Sequence, residues 1–474
     1  MSYCWGDPTA NRVILLNGKR HKVPESVHDL LNSLLSKSIG WIWIDAICIN
    51  QNDNDEKSWQ IGAMGRIYSN ARRWIAVAQL FQRPWFYRMW TIQEAVLSTD
   101  KLLFHCGKLE ILFSDIWDVF YQLQVAGIMG LLLPEVQDPF DARIAPKAFP
   151  QIRLIVALRY YITDHSTDDD FFGLEEAILY CSGALATNPR DHIYGVYGIV
   201  ADATDEELKA NYGAPVEDIY VKTTRYLISR NKSLRLLSDS DIYPSSRLDV
   251  PSWVPNYNTP RESPRLGFGF YTASGTRPPE TRWDTTTNRL TTSGIILDDV
   301  FSISSQKLSL TAKITTDDIR VWYEAAQLLL STWNSSAEHD TQISTEALWT
   351  TLMTGRFLNE DVEYEKVGPD YGVAFNAFHH YITRLDDFEE LSLHEWDTED
   401  PIMKPLMEIF KKALEFYTVA VESWVGRKLV ATKKGRLALV PHATEISDQI
   451  GILLGARTPF VLRQGENGRH IDDV

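Results

Sequence analysis

The chain is short of cysteine, of positive charge and of long apolar runs, and each shortage excludes something. Its 474 residues hold four cysteines, Cys4, Cys48, Cys106 and Cys181, far apart and with no CxxC pair among them. That argues against a disulfide framework and against a cysteine-based zinc site. Cys48 and Cys106 stand in apolar, strand-like runs and read as buried thiols of a reducing compartment. Lys and Arg number 47 against 63 Asp and Glu, a formal charge of −16. Nucleic-acid binding through phosphate neutralisation is disfavoured by that balance, as is attraction to anionic membrane surfaces. The longest apolar run, residues 125–133, is far too short to span a bilayer. The start, Met1-Ser2-Tyr3-Cys4-Trp5-Gly6, has neither the basic nor the apolar region of a secretory signal. A soluble, cytoplasmic protein without a membrane span is expected. The sequence also has no Walker A loop, HExxH pair, Cys/His cluster or GxSxG elbow. Gly267-Phe268-Gly269 lacks the third glycine of a dinucleotide fingerprint. No metal is expected, and His379-His380 reads as a pair on the surface of a helix.

Core material is plentiful: 44% of residues are hydrophobic, with fifteen Trp and twenty Tyr. The length suggests two or three domains. The chain is organised around residues 41–68, WIWIDAICINQNDNDEKSWQIGAMGRIY. Its apolar opening, residues 41–49, reads as a strand buried on both faces, interrupted by Asp45. A polar loop begins at Asn50-Gln51, and Ile61, Met64, Ile67 and Ala71 then recur at helical spacing. Polar loops at the carboxyl end of a buried strand are where open α/β sheets bind ligands. Asp45 is costly on such a strand unless backbone N–H groups, an Arg or a ligand satisfies it. It is either a loop-bracing side chain or a wall of a polar site.

Around this stretch, residues 13–16 and 19–23 form a hairpin on an Asn17-Gly18 turn. Pro24 opens a helix that faces inward with Val27, Leu30, Leu31, Leu34 and Leu35. Residues 73–78 and 101–106 read as strands, with a helix from Arg83-Pro84 to about Leu97 between them. This order suits a small, mostly parallel sheet flanked by helices, occupying residues 1–110. Residues 111–260 are expected to be mainly helical, with an extended connector carrying Pro251, Pro255 and Pro260. Residues 261–474 read as an α+β region. It holds helices at 316–333, 345–354 and 403–425, and three closing strands across 428–463.

Several of these stretches together resemble the fungal heterokaryon incompatibility (HET) domain family. They are Tyr3-Cys4-Trp5-Gly6-Asp7, the string Asp45-Ala46-Ile47-Cys48-Ile49-Asn50-Gln51, and Arg83-Pro84-Trp85-Phe86 with Arg88, Trp90, Gln93 and Glu94. Looser matches follow at Asn188-Pro189-Arg190-Asp191, at Pro251-Ser252-Trp253, and at Asp448, Gly455 and residues 459–463. The resemblance implies an intracellular protein that triggers programmed cell death after non-self recognition, with an unidentified protein partner or by self-association. It also implies an N-terminal fold similar to TIR domains, which are flavodoxin-like. The chain departs from the family pattern in starting inside the first motif and in its short connection at residues 79–82.

TIR domains that cleave NAD⁺ carry a Trp and a catalytic Glu at the spacing of Trp90 and Glu94, so the resemblance makes Glu94 the catalytic candidate. NAD⁺ is then a substrate; no cofactor is implied. One carboxylate suffices for such chemistry. Nicotinamide leaves neutral, and what needs support is the oxocarbenium-like ribose, whose charge develops only in the transition state. Trp90 offers an indole face for stacking. Tyr3, Trp5, Gly6, Asp7, Asp45, Asn50 and Gln51 are the candidate substrate-binding residues, at strand ends bordering the same crevice. Two other readings stay open. In one, Trp90 is a core anchor, Glu94 pairs with an Arg, and the domain is a non-catalytic signalling or assembly module. In the other, the chain is an inactive truncated paralogue.

Overall fold

The computed structural model describes residues 11–16, 18–34, 44–48, 74–77, 85, 88–98, 102–106, 109–115, 117, 152, 154–159, 172–200, 203, 205–240, 248–258, 271–308, 314–337, 341–358, 364–369, 371–383, 413, 416, 417, 420, 421, 423–465 and 468–473. The chain divides into two compact units, Met1–Thr223 with Tyr257–Pro260, and Thr224–Asn256 with Arg261–Val474. Helices and strands are mixed in both.

In the first unit, β1 (Asn11–Leu16) and β2 (Lys19–Pro24) form the expected hairpin, with Gly18 at φ 77° in its turn. Helix α1 (Glu25–Leu34) follows directly. Its Val27 and Leu30 pack with Val23 and Ile44 in a small core that Ile14, Leu31 and Ile47 border. The strand expected at 41–49 is replaced, where it is described, by one helical turn, α2 (Asp45–Cys48). Cys48 N donates to Ile44 O at 2.8 Å. A short apolar run carries no period that separates strand from helix, and an acidic residue at the first helical position favours the helix. Cys48 is accordingly exposed, not buried, whereas Cys181 is buried, and neither is part of a disulfide. The helix expected at 61–71 lies outside the described residues.

Strand β3 (Trp74–Val77), helix α3 (Met89–Val96), strand β4 (Leu102–Cys106) and strand β5 (Leu109–Leu112) complete the described sheet of this unit, in the order β3-β4-β5. β3 and β4 run parallel, because the connection between them contains α3. β4 and β5 run antiparallel, because the link is a tight hairpin closing Cys106 against Leu109. The expectation of a mostly parallel, flavodoxin-like sheet is therefore not met. Among the described strands this is the one parallel ladder, and the rest are antiparallel. Helix α3 also starts later than Pro84: Trp85 lies in a 3-10 turn and Arg88 is extended, at φ −83° and ψ 139°. Beyond the sheet come α4 (Leu174–Cys181), the short α5 (Asp191–Tyr194) and α6 (Val216–Asn231), within which the two units meet along the chain.

The second unit is built on a six-stranded antiparallel sheet. Small ribbons precede it: β6 (Thr281–Asp284) with β7 (Arg289–Thr292). The long β8 (Gly294–Ile303) then enters the main sheet. Helices α7 (Thr316–Ser335) and α8 (Thr345–Leu352), the ribbon of β9 (Arg356–Leu358) and β10 (Tyr364–Lys366), and α9 (Tyr371–Thr383) follow. His379 and His380 lie on α9, His379 exposed there, as expected of a surface pair. The closing strands are β11 (Arg427–Thr432), β12 (Leu437–Pro441), β13 (Gln449–Leu453), β14 (Phe460–Gly465) and β15 (Gly468–Asp473). Their order is β12-β11-β8-β13-β14-β15. The third expected strand is two, because Gly455, at φ 85°, turns the chain between β13 and β14. Val300, Val430, Val440, Ile450 and Val461 form the sheet's core. Helix α7 buries Ile319, Trp322, Tyr323, Ala326, Leu330 and Trp333 at helical spacing, and Trp322 stacks on Trp424 at 4.5 Å. Residues 251–258 are turns, not an extended connector. Val250 and Val254 are buried there, and Trp253 Nε1 donates to Asn288 O at 2.9 Å.

Candidate functional site

Helix α3 is eight residues long, too short to persist without tertiary support, and both of its ends are fixed from outside. At the N-terminus Arg88 forms an isolated bridge with Leu185, and Met89 N donates to Leu185 O at 2.9 Å. That bond uses one of the N–H groups a helix start leaves unpaired. Thr91 Oγ1 donates to the Trp85 and Arg88 carbonyls. At the C-terminus Arg159 Nη1 donates to Ala95 O at 2.7 Å, to Ser98 O at 3.0 Å and to Ser98 Oγ at 2.6 Å. A guanidinium there satisfies end carbonyls and complements the helix dipole. Arg159 also borders a small cavity of about 190 Å³ between Leu102, Leu112, Phe113, Trp117 and Val156.

The central contact joins α3 to α5. Trp90 Nε1 donates to Asp191 Oδ2 at 2.9 Å, and the Tyr212 hydroxyl donates to Asp191 Oδ1 at 2.5 Å. Asp191 is 6% exposed, and its two oxygens are held by two aromatic donors. Desolvation, with the Asp191 charge beside it, pushes the Tyr212 hydroxyl far above its ordinary value, so it stays a donor. The surrounding loop spends its polar atoms on itself. Asn188 Oδ1 accepts from Arg190 N and Arg190 Nη1, and Arg190 Nε and Nη2 donate to Ala214 O. Tyr220 donates to Pro189 O at 2.7 Å. The Tyr194 hydroxyl accepts from Asn211 N at 3.0 Å, and its ring meets that of Tyr212 edge-on at 5.2 Å. At the end of α5, Gly195 leaves the space that the Met89 side chain of α3 occupies: a Cβ there would clash with Met89 Cγ.

Of the sequence-predicted site residues, Trp90 and Glu94 do share a stripe of one helix, one turn apart. Glu94 is 7% exposed. Trp90 is half-buried, with its indole N–H committed to Asp191. Asp45 is placed at the start of α2, and only its backbone is described. Tyr3, Trp5, Gly6, Asp7, Asn50 and Gln51 lie outside the described residues. Among the described residues no cluster of His, Cys, Asp and Glu is arranged to hold a metal ion, and no helix is long and apolar enough to cross a membrane.

Sequence reasoning missed the role of Asp191 and gave Gln93 and His192 none. Gln93 is 1% exposed, and neither Nε2 nor Oε1 has a hydrogen-bond partner among the described residues. His192 is 5% exposed, and its Nδ1 is likewise unpartnered. Burial lowers the His192 pKa to about 4, against the pull of its hydrogen bond to Asn258. The Asn-Pro-Arg-Asp string pointed to Asp191, but pairing across that separation has no local signature.

Comparison with known proteins gives the following. Residues 1–79 match the family model described as heterokaryon incompatibility protein (HET). The chain is similar to heterokaryon incompatibility protein 6, OR allele, of Neurospora crassa, at 20% identity over an alignment covering 98% of this chain and 85% of that protein. No solved structure matches. The HET resemblance read from the motifs is thus found independently, and α3 and α5 lie beyond the 1–79 match but within the longer similarity.

Two outcomes follow from the geometry. Trp90→Phe and Asp191→Asn are each expected to destabilise the chain, and their double-mutant cycle in urea should give a coupling of about 1–3 kcal/mol. His192 should make stability depend on pH. Its folded pKa lies below the ordinary 6.5, so the unfolded chain binds the proton first. The stabilisation is complete above pH 6.5 and is lost as pH falls toward 4, by on the order of 3 kcal/mol in all. Comparing urea midpoints of the wild type and His192→Gln across that window checks it: the gap between them should shift against the wild type as the pH drops.

Proposed function

We propose that this chain acts in non-self recognition of the heterokaryon incompatibility type, as an intracellular protein whose activation leads to programmed cell death. The observation that carries this reading is the similarity across 98% of the chain to a heterokaryon incompatibility protein, together with the HET match at residues 1–79. The architecture supports a signalling module. The last of the N-terminal motifs, on α3, is braced through Trp90 and Asp191 to a motif about a hundred residues later, so a change at one is transmitted to the other. A protein partner or a second copy supplies the stimulus. Expression in a filamentous fungal host is expected to kill hyphal compartments, scored by uptake of a viability dye, and Asp191→Ala should abolish the effect. Healthy growth with folded, abundant wild-type protein would remove the reading.

A second reading makes the first unit an NAD⁺-cleaving, TIR-like enzyme with Glu94 as its catalytic carboxylate. Its support is a carboxylate at 7% exposure one helical turn from an indole. An enclosed carboxylate stabilises an oxocarbenium-like ribose more strongly than one in water. Against it stands the Trp90 indole, held in place by Asp191 as a structural anchor would be. Purified protein incubated with NAD⁺ is expected to release nicotinamide, and Glu94→Gln should reduce the rate by about 100-fold or more. Release that is unchanged in the variant would take Glu94 out of the chemistry.

A further inference from the structure

Gln93 is the side chain on α3 whose burial the fold does not explain. It is 1% exposed and, among the described residues, both ends of its amide lack partners. An amide brings two N–H donors and a carbonyl acceptor, and interior groups of this kind are paired almost without exception. Partners are not scarce along this helix: Trp90 has Asp191, and Thr91 has the Trp85 and Arg88 carbonyls. A leucine would fill nearly the same volume without the desolvation penalty.

We infer that Gln93 is a recognition group, whose amide edge receives a planar ligand group presenting a hydrogen-bond donor beside an acceptor, as a carboxamide or a nucleobase does. The argument is one of matched chemistry. N–H and C=O lie side by side in one plane on the glutamine, and a single ligand group satisfies both together only if it offers the complementary pair. From Thr91 to Val96 every side chain is buried, whereas Trp90 and Leu97, three residues before and four after Gln93, are half-buried. A flat ligand approaching there meets the indole of Trp90. His192, beside Asp191 on the helix bonded to α3, holds another buried nitrogen without a partner. The inference requires neither a reaction at Glu94 nor a role in non-self recognition, so it fails or stands apart from both.

The test is thermal unfolding of the full chain, wild type and Gln93→Leu, alone and with millimolar nicotinamide, adenine or 3-methylpyridine. Without ligand, Gln93→Leu is expected to melt higher by about 2–8 °C, because the orphaned amide is gone. Nicotinamide or adenine should raise the melting temperature of the wild type and leave the variant unmoved. Which of the two does so identifies a carboxamide or a nucleobase as the source. 3-Methylpyridine, a similar ring without the amide, should shift neither protein. Gln93→Met, equal in length and without the amide, repeats the comparison should the leucine branch disturb packing. The inference is overturned if both apolar variants melt at or below the wild type, if neither nicotinamide nor adenine shifts the wild type, or if they shift variant and wild type alike.

Discussion

The hydrogen bond from the Trp90 indole to the Asp191 carboxylate ties α3 to α5, and the setting of α3 depends on it. A helix of this length gains too little from its own ladder to stay formed. Among the described residues its alignment draws on attachments that originate elsewhere in the chain: the Leu185 carbonyl at one end, Arg159 at the other, and Asp191 across the middle of the first turn. Two of these grip the backbone and would hold a helix of any sequence. The third grips a particular side chain, and so fixes the rotation of α3 about its own axis. That rotation decides which residues face α5 and sets buried Glu94 between the half-buried Trp90 and Leu97.

Asp191 can do this because the fold removes it from water and then supplies donors for both of its oxygens. A buried carboxylate with one oxygen unmet would carry a penalty as large as the gain from a charge-assisted bond. Tyr212 meets the second oxygen, and its raised pKa keeps the proton on the phenol. The Asn188–Arg190 turn then serves the carboxylate indirectly. Arg190 brings positive charge close to Tyr194 and Tyr212 while its own N–H groups are tied to Ala214 and Asn188. The string Asn-Pro-Arg-Asp is a scaffold for one acidic side chain, with Tyr220 bracing the Pro189 carbonyl behind it.

How much of this was legible in the sequence depended on the range of the forces involved. The β1–β2 hairpin, helix α1 and helix α7 were readable because local spacing and an Asn-Gly turn determine them. The start of α3 was misread: Arg83-Pro84 has the composition of a helix entry, but Arg88 is drawn into an extended bridge with Leu185, a contact that no nearby residue announces. Asp45 was misread for a related reason, since an apolar run with one carboxylate fits a buried strand and a single helical turn equally well. The parallel sheet failed because sequence analysis does not mark β5 as a strand: it follows β4 after residues 107–108, and a link that short joins antiparallel neighbours. The pairing of Trp90 with Asp191 was invisible from spacing alone, because a hydrogen bond between distant stretches leaves no periodic trace.

What the lock makes possible is a contrast between two neighbouring helices. Asp191, the most demanding polar group of α5, is fully satisfied, while His192 beside it and Gln93 on α3 are buried with nitrogen or amide atoms unmet. A loosely held helix would rotate or fray until water reached such groups. Here α3 is pinned at both ends and at Trp90, so the unmet groups stay where they are and their cost is carried by the rest of the unit. Strain of this kind persists only where the surrounding structure over-determines it. A rigid frame around unsatisfied hydrogen-bonding groups is also the arrangement that recognition favours, because the ligand meets groups that are already oriented and already stripped of water.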